Sequence, residues 1–361
     1  MVDKADEIYL KIALELAEKG RGQTSPNPMV GAVVVKDGEM IGQGYHKRAG
    51  EPHAEVMALQ EACGLAKDAT LYVNLEPCCH YGRTSPCTES IISAGIGRVV
   101  FCMKDPNPKV NGKGASILRR AGIKVDMGIL KKEAMQLNEA YVKFIETGLP
   151  FVILKTAQSP DGRIATISGD SRWISCPDSR EFAHSLRASA DAVAVGAGTV
   201  RADNPQLTVR LAKGGNPYRI IISRHPDFSP GINLFAHNGD AKTILATSSS
   251  SVKKMKTKNL IVWHIKKNRD GLLLSDFLRK AGEFGIQILL IEGGGRLATS
   301  FLRQKLVDRL YFVIAPMIIG RGREAVGELN IRKLIKAIRF ESPGFMPCGD
   351  DILFSGYPKR K

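Results

Sequence analysis

The sequence lacks long apolar runs, internal repeats and low-complexity tracts. No apolar stretch approaches the ~20 residues that a membrane-spanning helix needs, so we expect no membrane span. The first residues, Met1 to Glu7, carry acidic side chains and no apolar core, so we expect no secretory signal peptide. These absences predict a cytoplasmic protein that acts without a membrane partner.

Cysteine is also scarce, with seven residues in a chain of 361, and its number is odd. This count favours free thiols in a reducing compartment over a disulfide framework. The hydrophobic content of 43% and the charged content of 24% are ordinary for globular proteins. The length is sufficient for two domains, each with its own core.

Three of the cysteines lie in one short stretch, Pro77 to Cys87, which follows His53-Ala54-Glu55. A histidine and two thiolates can hold a catalytic zinc ion and leave a fourth tetrahedral position for water, whose pKa falls from about 16 to about 7. Because two thiolates neutralise the charge of the ion, Glu55 is free to move protons. In zinc deaminases the glutamate of the H-x-E motif is the general acid/base. The sequence therefore predicts a hydrolytic zinc site with Glu55 as the catalytic residue.

The spacing of the cysteines departs from the usual zinc-deaminase signature. That signature has P-C-x-x-C, whereas eight residues separate Cys78 from Cys87, and Cys79 and His80 between them are alternative ligands. The alternative interpretation is that these residues bind no metal and are buried free cysteines beside a hydrogen-bonded histidine. We favour zinc because H-x-E and P-C occur in the right order, each at a predicted strand-to-helix junction.

Acidic residues are under-represented in the second half of the chain only. Residues 1–148 contain 19 Lys and Arg against 18 Asp and Glu, and residues 149–361 contain 33 against 18, for a net charge of +16. A deaminase of nucleic acid would carry basic charge around its active site, so the neutral half favours a small-molecule substrate and no nucleic acid. The basic half is suited to phosphorylated small molecules or NADPH. Its runs at 253–258 and 266–269 are interpreted as solvated surface.

The hydrophobic patterns predict an α/β sandwich in which strands alternate with helices. In the first half we predict helices at 3–19, 53–63, 88–94 and 133–145 and strands at 29–36, 40–45, 69–75 and 98–103, with a hairpin turn at Asp37-Gly38. Thr147 to Pro150 is the predicted domain junction. In the second half we predict strands at 151–157, 192–196, 218–223, 243–247, 259–265, 286–291 and 309–315, and helices at 178–188, 275–284 and 296–306.

Asn27 stands between two prolines immediately before a predicted strand. Asparagine is common in turns, but an amide held in so rigid a loop is also suited to bind the polar edge of a heterocycle. The sequence leaves both interpretations open. His46 has no such context, and we interpret it as a loop residue.

Two glycine motifs in the second half are candidates for phosphate binding. Gly196 to Arg201 is an incomplete G-x-G-x-x-G and by itself a weak indication of a dinucleotide. Glu292 to Gly295 is better placed, because it ends an apolar strand and opens a predicted helix, where backbone N–H groups favour a phosphate. A flexible tight turn is the alternative. Arg187 and Arg210 could hold a phosphate together, although an arginine is by default a surface charge.

Taken together, these residues resemble the bifunctional riboflavin biosynthesis deaminase/reductase family, and the resemblance covers nearly the whole chain. The matching segments are Thr24–Gly31, His53–Glu55, Cys78–Cys87 with Gly82-Arg83-Thr84, Lys155–Gly162, Gly196–Val200, Asp203–Pro205 and Glu292–Gly295. The eight-residue gap between the cysteines is a feature of this family. The resemblance therefore implies His53, Cys78 and Cys87 as the zinc ligands.

The resemblance also implies a fold and a reaction for each half. It implies a cytidine-deaminase-like three-layer sandwich at 1–146 and a dihydrofolate-reductase-like domain at 151–361. The implied substrate is a diaminopyrimidinone with a phosphoribosylamino group, which is hydrolytically deaminated at the zinc site and then reduced by NADPH to a ribityl chain. By position, the implied NADPH contacts are Ala157, Trp173, Thr199, Asp203, Gly294 and Gly295, and the implied substrate contacts are Ser171, Arg187, Leu207, Arg210 and Glu292. Asn27 is a further candidate substrate contact from the sequence itself. Pro160 departs from the family, which commonly has leucine there, and this puts the local backbone in question.

Two other functions are compatible with parts of the sequence. A monofunctional nucleobase or tRNA deaminase with an accessory basic domain would have basic residues around the zinc site and no cofactor loop. A non-catalytic zinc-stabilised binding module would close the ion with a fourth protein ligand, such as Cys79 or His80. A homo-oligomer is compatible with the sequence, which does not determine the oligomeric state.

Overall fold

The computed structural model describes residues 4–82, 85–229, 231–236, 242–250, 260–269 and 271–359. The chain divides into two compact units, Met1–Gly148 and Leu149–Lys361, and the division falls inside the predicted junction. The basic run at 253–258, Arg83-Thr84 of the family motif and the first residue of the strand predicted at 259–265 lie outside the described residues.

The first unit is a mixed sheet with helices on both faces. Its strands are β1 (Gly31–Lys36), β2 (Glu39–Tyr45), β3 (Thr70–Leu75), β4 (Arg98–Met103) and β5 (Lys124–Met127), in the order β2–β1–β3–β4–β5. Its helices are α1 (Lys4–Glu18), α2 (Ala54–Glu61), α3 (Cys87–Ser93), α4 (Lys113–Arg120), α5 (Lys131–Leu137) and α6 (Glu139–Thr147). Strand β1 is antiparallel to both neighbours, whereas β3, β4 and β5 run parallel.

Two apolar clusters, one on each face of this sheet, make the unit a three-layer sandwich. On one face α2, α3 and α4 cover buried residues that include Leu71 and Phe101. On the other face α1 and α5 cover a cluster that includes Val33 and Val100. The alternation of apolar side chains along each strand produces these two faces. The predicted α/β class is therefore confirmed for this half.

Two glycines on β2 allow α2 to lie directly against the sheet. A Cβ atom added at Gly44 would lie 2.6 Å from the carbonyl oxygen of Ala54, and one added at Gly42 would collide with that of Ala58. Only a residue without a side chain permits so close an approach. The first turn of α2, which carries the H-x-E motif, is thereby fixed against the sheet.

The prediction of one continuous helix at 133–145 is wrong, because the structure has two helices there. Helices α5 and α6 meet at Asn138, whose backbone leaves the helical region with φ −104° and ψ 24°. The Asn138 side chain is buried and hydrogen-bonds to the backbone of Met29, a long-range contact that no local pattern reveals. Helix α4 and strand β5 were not predicted.

The second unit is built on a nine-stranded sheet. Its strands are β6 (Phe151–Gln158), β7 (Arg163–Thr166), β8 (Ala192–Gly196), β9 (Tyr218–Ile222), β10 (Thr243–Thr247), β11 (Leu260–His264), β12 (Ile288–Glu292), β13 (Arg309–Ile314), β14 (Gly322–Glu324), β15 (Phe340–Cys348) and β16 (Asp351–Pro358). The order is β11–β10–β9–β8–β12–β6–β13–β16–β15, and β7 and β14 form a separate pair. All neighbours from β11 to β13 are parallel, and β16 and β15 are antiparallel additions at one edge.

Helices cover both faces of this sheet. They are α7 (Pro177–Ser189), α8 (Ala197–Asp203), α9 (Leu274–Glu283) and α10 (Gly295–Arg303), followed by a 3-10 turn at Leu334–Lys336. Helices α9 and α10 pack on one face through residues such as Phe277 and Phe301. The other face is covered by α7, α8 and the buried side chains of Leu234 and Phe235. In the part of the chain that the structure describes, no helix has both the length and the apolar character needed to cross a bilayer.

Candidate active sites

His53, Cys78 and Cys87, which we call the metal group, come together in the first unit. His53 immediately precedes α2, Cys78 follows β3, and Cys87 begins α3. Nδ1 of His53 lies 3.2 Å from Sγ of Cys87 and 3.5 Å from Sγ of Cys78. Zinc with ordinary bond lengths of about 2.1 Å to nitrogen and about 2.3 Å to sulfur would set tetrahedral N···S separations near 3.6 Å. The three side chains therefore fit a zinc ion, with Nδ1 as the histidine donor.

The metal group stabilises the thiolate form that binds metal. The hydrogen bonds that Cys78 makes with Cys87 and His53 lower its pKa to about 4, although burial opposes this. The backbone N–H of Cys87 also points at Sγ of Cys78, at 3.3 Å. The same contact with Cys78 raises the pKa of Cys87. These contacts favour the thiolate form of Cys78 over that of Cys87.

Glu55 lies on the first turn of α2, beside the metal group but not within it. Its side chain is almost fully buried, and this burial raises its pKa to about 7, with a further contribution from the negative charge of Cys78. A carboxyl group with a pKa near neutrality can both accept and donate a proton at physiological pH. Its position and burial suit it to general acid/base chemistry.

Neither Cys79 nor His80 joins the metal group among the described residues. The thiol of Cys79 is directed towards the carbonyl oxygen of Lys109, at 3.6 Å. With three protein ligands, a fourth tetrahedral position remains for water, which is typical of catalytic zinc sites and not of closed structural ones. The arrangement argues against a zinc-stabilised binding module.

His46 was predicted to be a loop residue, and it does follow β2 in a loop, but it is buried beside the metal group. Its ring packs edge-on against that of His53, with centroids 5.2 Å apart. Its Nδ1 lies 3.1 Å from the carbonyl oxygen of Pro52, which can only accept, so we assign the proton to Nδ1. Nε2 then accepts a hydrogen bond from Nδ2 of Asn27, at 3.0 Å. This contact turns the amide oxygen of Asn27 away from His46.

In the second unit, Glu292 and Arg187 form a buried ion pair. Nε and Nη2 of Arg187 lie 2.6 and 2.7 Å from the two carboxylate oxygens of Glu292. Burial pushes the pKa of Glu292 upward, but Arg187 and then Lys155 outweigh burial and hold the pKa below its usual value. The structure thus pairs two residues that the family resemblance implied as separate substrate contacts.

Lys155 is a further charged residue beside the ion pair of Arg187 and Glu292. The sequence analysis gave it no role. It lies on β6 directly beside Glu292 of the neighbouring strand β12. Burial lowers the pKa of Lys155, and the Glu292 carboxylate opposes this. The sequence did contain a signal for a functional role, because Lys155 is the single lysine within the apolar strand FVILKTAQ.

Arg187 and Arg210 converge on Thr208, which follows the buried Leu207. Nη1 of Arg187 lies 3.3 Å from the carbonyl oxygen of Thr208, and Nη1 of Arg210 lies 2.7 Å from its hydroxyl oxygen. His184 lies beside both and accepts the backbone N–H of Arg210 at 2.9 Å. Burial, followed by the two arginine charges, lowers the pKa of His184 to about 4. Two cations therefore meet around a neutral histidine.

The segment Glu292 to Gly295, which we call the glycine loop, and α8 both lie at the carboxyl edge of the parallel sheet. Gly196 and Glu292 end adjacent strands there, and Ala157 lies near the end of the next strand. Crevices at the carboxyl edge of such sheets are common ligand sites. Gly294 has φ +73°, and a Cβ atom added to it would lie 2.9 Å from Oγ1 of Thr199. The two candidate cofactor residues are thus close neighbours.

Gly295 and Pro160 have structural explanations. A Cβ atom on Gly295 would collide with the carbonyl oxygen of Glu324, so packing alone requires a glycine there. Pro160 occupies the second position of a turn closed by the N–H of Gly162 on the carbonyl oxygen of Ser159, at 2.9 Å. Proline is favoured at that position of a turn.

A further region of the second unit lies where the end of α8 meets the segment before α7. It contains the candidate residues Asp203, Ser171 and Trp173. Nη2 of Arg172 donates to the carbonyl oxygen of Asp203 at 2.6 Å, which joins the end of α8 to the segment before α7. Burial raises the pKa of the Asp203 carboxyl group. The Trp173 ring is 69% exposed and lies under the guanidinium group of Arg180, at 4.7 Å, and Ser171 is half-buried nearby.

Family profiles match both units of the chain. The profile described as the RibD C-terminal domain matches residues 150–354. The profile described as the cytidine and deoxycytidylate deaminase zinc-binding region matches residues 3–103. The first of these matches rules out a monofunctional deaminase with an accessory basic domain, because the second half is itself a RibD domain.

Relatives match over the full length of the chain. The riboflavin biosynthesis protein RibD of Aquifex aeolicus (strain VF5) is 45% identical over 98% of both chains. That of Escherichia coli (strain K12) is 39% identical over 96% of this chain and 98% of its own. The structure of Acinetobacter baumannii RibD superposes with a TM-score of 0.89 at 35% identity over 99% of both chains. A deaminase/reductase from Thermotoga maritima gives 0.89 at 36% identity over 98% of this chain and 99% of its own. This chain belongs to the RibD family, the bifunctional deaminase/reductases of riboflavin biosynthesis.

Proposed function

We propose that residues 1–146 deaminate a diaminopyrimidinone carrying a phosphoribosylamino group, and that residues 151–361 then reduce its ribosyl chain to ribityl with NADPH. The observation that carries the first assignment is the metal group, in which the histidine nitrogen lies 3.2 and 3.5 Å from the two thiols, beside the buried carboxyl group of Glu55. The second assignment is supported by the glycine loop at the carboxyl edge of the sheet and by the excess of basic residues in this half.

In the deaminase half, the metal group would hold zinc, which supplies a water molecule of lowered pKa. Glu55 would carry both protons of that water, one to the neighbouring ring nitrogen and one to the departing amine, so that ammonia leaves and a carbonyl oxygen replaces it. The burial of Glu55 keeps bulk water from competing for these protons. The amide oxygen of Asn27, which faces away from His46, accepts a hydrogen bond from the N–H edge of the pyrimidine.

In the reductase half, NADPH supplies the hydride when it is bound. Backbone N–H groups of the glycine loop at Gly294, with the hydroxyl of Thr199, bind its phosphates, and Ala157, Trp173, Asp203 and Gly295 complete its surroundings. Arg210 carries the larger share of the substrate phosphate, because its Nη1 contacts are the neutral side chains of Gln206 and Thr208. Ser171, Arg187, Leu207 and Glu292 line the same substrate site.

We propose a cytoplasmic location, supported by the seven free cysteines, none of which forms a disulfide. The substrate is a small molecule, and neither nucleic acid nor a membrane is required. A homo-oligomer is supported by the exposed Phe345 and Met346 on the edge strand β15, which are 70% and 50% accessible. Sedimentation velocity tests this last point.

The decisive experiment supplies the purified, zinc-loaded protein with the diaminopyrimidinone substrate, with and without NADPH. We expect ammonia release in both reactions and loss of cofactor absorbance in the second, with one NADPH consumed per ammonia. Absence of ammonia release would contradict the deaminase assignment. Ammonia release without NADPH consumption would contradict the reductase assignment alone.

A further inference from the structure

Two buried asparagines, Asn74 and Asn138, hold the backbone of the segment that precedes β1. The side-chain oxygen of Asn138 accepts the N–H of Met29 at 2.8 Å, and its Nδ2 donates to the carbonyl oxygen of Met29 at 2.9 Å. Nδ2 of Asn74 donates to the same carbonyl oxygen at 2.9 Å, and its oxygen accepts the N–H of Gly31 at 2.9 Å. We call these two residues the amide clamp. The clamp replaces the hydrogen bonds that a neighbouring strand would otherwise supply.

The clamped segment forms one wall of the deaminase site. Asn27 lies two residues before Met29 and donates from Nδ2 to Nε2 of His46. The carbonyl oxygen of Val30, one residue after Met29, accepts the backbone N–H of His46 at 2.8 Å. His46 in turn packs against His53 of the metal group. The position of the clamped backbone therefore determines where the Asn27 amide stands.

Asn138 holds the backbone of Met29 from outside the deaminase site. It sits where α5 and α6 meet and is 3% exposed, so its amide has no solvent alternative. Its two bonds, one from the N–H and one to the carbonyl oxygen of Met29, hold the peptide units on both sides of that residue. Asn74 cannot replace these bonds, because it contacts only the carbonyl oxygen of the Met29 backbone and its own oxygen already accepts the N–H of Gly31.

We infer that Asn138 is a positioning residue for pyrimidine binding: it fixes the segment that carries Asn27, without itself touching substrate or metal. This inference rests on the proposed deaminase function. Loss of the clamp should weaken substrate binding and leave zinc and the Glu55 proton transfer in place. A residue needed merely for folding would instead lower zinc content, the kcat of deamination and reductase activity together.

The test measures steady-state ammonia release by Asn138→Ala and Asn138→Asp, with zinc content and NADPH oxidation of the supplied deaminated intermediate measured on the same preparations. We expect Asn138→Ala to raise KM by about tenfold to a hundredfold, because both side-chain bonds to the backbone of Met29 are lost. We expect kcat to stay within about threefold of the unchanged protein, since the reacting groups are intact. Asn138→Asp keeps the acceptor for the Met29 N–H but places a carboxylate oxygen against the carbonyl oxygen of Met29, so it should also raise KM.

Tyr72→Phe is the matched control. It removes a different buried hydrogen bond of the same unit, the 2.9 Å contact with Asp6, and should leave KM unchanged. If Asn138→Ala does not fold, Asn138→Asp decides the question. The inference is overturned if the folded, zinc-loaded variant has a KM within about twofold of the unchanged protein, or if kcat falls with zinc content while KM stays constant. Failure of the unchanged protein to release ammonia would instead reject the proposed function.

Discussion

Replacing Arg187 by alanine is expected to destabilise the second unit by about 3 kcal/mol at neutral pH, because it leaves the buried carboxylate of Glu292 without its main partner. The two side chains are only 13% and 10% exposed and are joined by two short bonds. Removal of one member of such a pair typically costs about 3–5 kcal/mol. We choose the lower end because the nearby charge of Lys155 still favours the ionised carboxylate.

The loss of stability in Arg187→Ala should depend on pH, and the shift in the pKa of Glu292 determines the direction of this dependence. In the folded protein the pKa of Glu292 lies below its ordinary value of 4.5, so this group contributes stability above that pH and the contribution is lost as the pH falls through the folded pKa. In the Arg187→Ala variant, burial is no longer fully opposed and the pKa of Glu292 rises. Protonation of Glu292 in the variant then removes the cost of a buried, unpaired carboxylate. The difference in unfolding free energy between the two proteins should therefore narrow as the pH falls through the raised pKa of Glu292 in the variant.

Tryptophan fluorescence during urea unfolding measures this effect in the second unit specifically. The chain has two tryptophans, Trp173 and Trp263, and both lie beyond residue 148. Arg201→Ala is the matched control: its partner Asp227 is exposed, and an exposed pair contributes about 0–1 kcal/mol. A double change, Arg187→Met with Glu292→Gln, should recover much of the loss. A loss below about 1 kcal/mol for Arg187→Ala, or an equal loss at pH 4 and pH 7, would refute this reasoning.

Three further predictions concern the zinc site and the glycine loop. Glu55→Gln should retain zinc and lower ammonia release by about 10²–10⁴-fold, while NADPH oxidation of the supplied intermediate is unchanged; near-normal ammonia release would remove Glu55 from the mechanism. Cys87→Ser should lose zinc on dialysis, whereas Cys79→Ser should keep it, since that thiol is directed to a backbone carbonyl; equal metal content in the two variants would contradict the assignment. Gly295→Ala should destabilise the second unit by about 1–3 kcal/mol in thermal unfolding, because its Cβ meets a carbonyl oxygen, whereas Gly198→Ala projects into open space and should not; similar melting temperatures would count against the packing argument.

The α/β class and the metal group could be predicted from the sequence because their signals are local. The H-x-E motif occupies one helical turn, and Pro77-Cys78 follows an apolar strand directly, so the residues themselves indicated a zinc site. The choice of Cys87 over Cys79 and His80 as a ligand was implied by the family resemblance. Alternating apolar runs in the same way revealed most strands of both units. These patterns depend on a few consecutive residues, and local sequence determines them.

The tertiary structure decided everything that depends on partners distant in the chain. Asn138 breaks a helix because of a contact with Met29, and His46 is buried because α2 brings His53 against it. Arg187 and Glu292 are separated by 105 residues, yet they form one ion pair. The hairpin of β15 and β16 likewise has no periodic signal strong enough to predict it. Hydrophobic periodicity specifies which face of an element is buried, but only packing specifies which residue lies opposite, and that choice placed Lys155, Arg187 and Glu292 together.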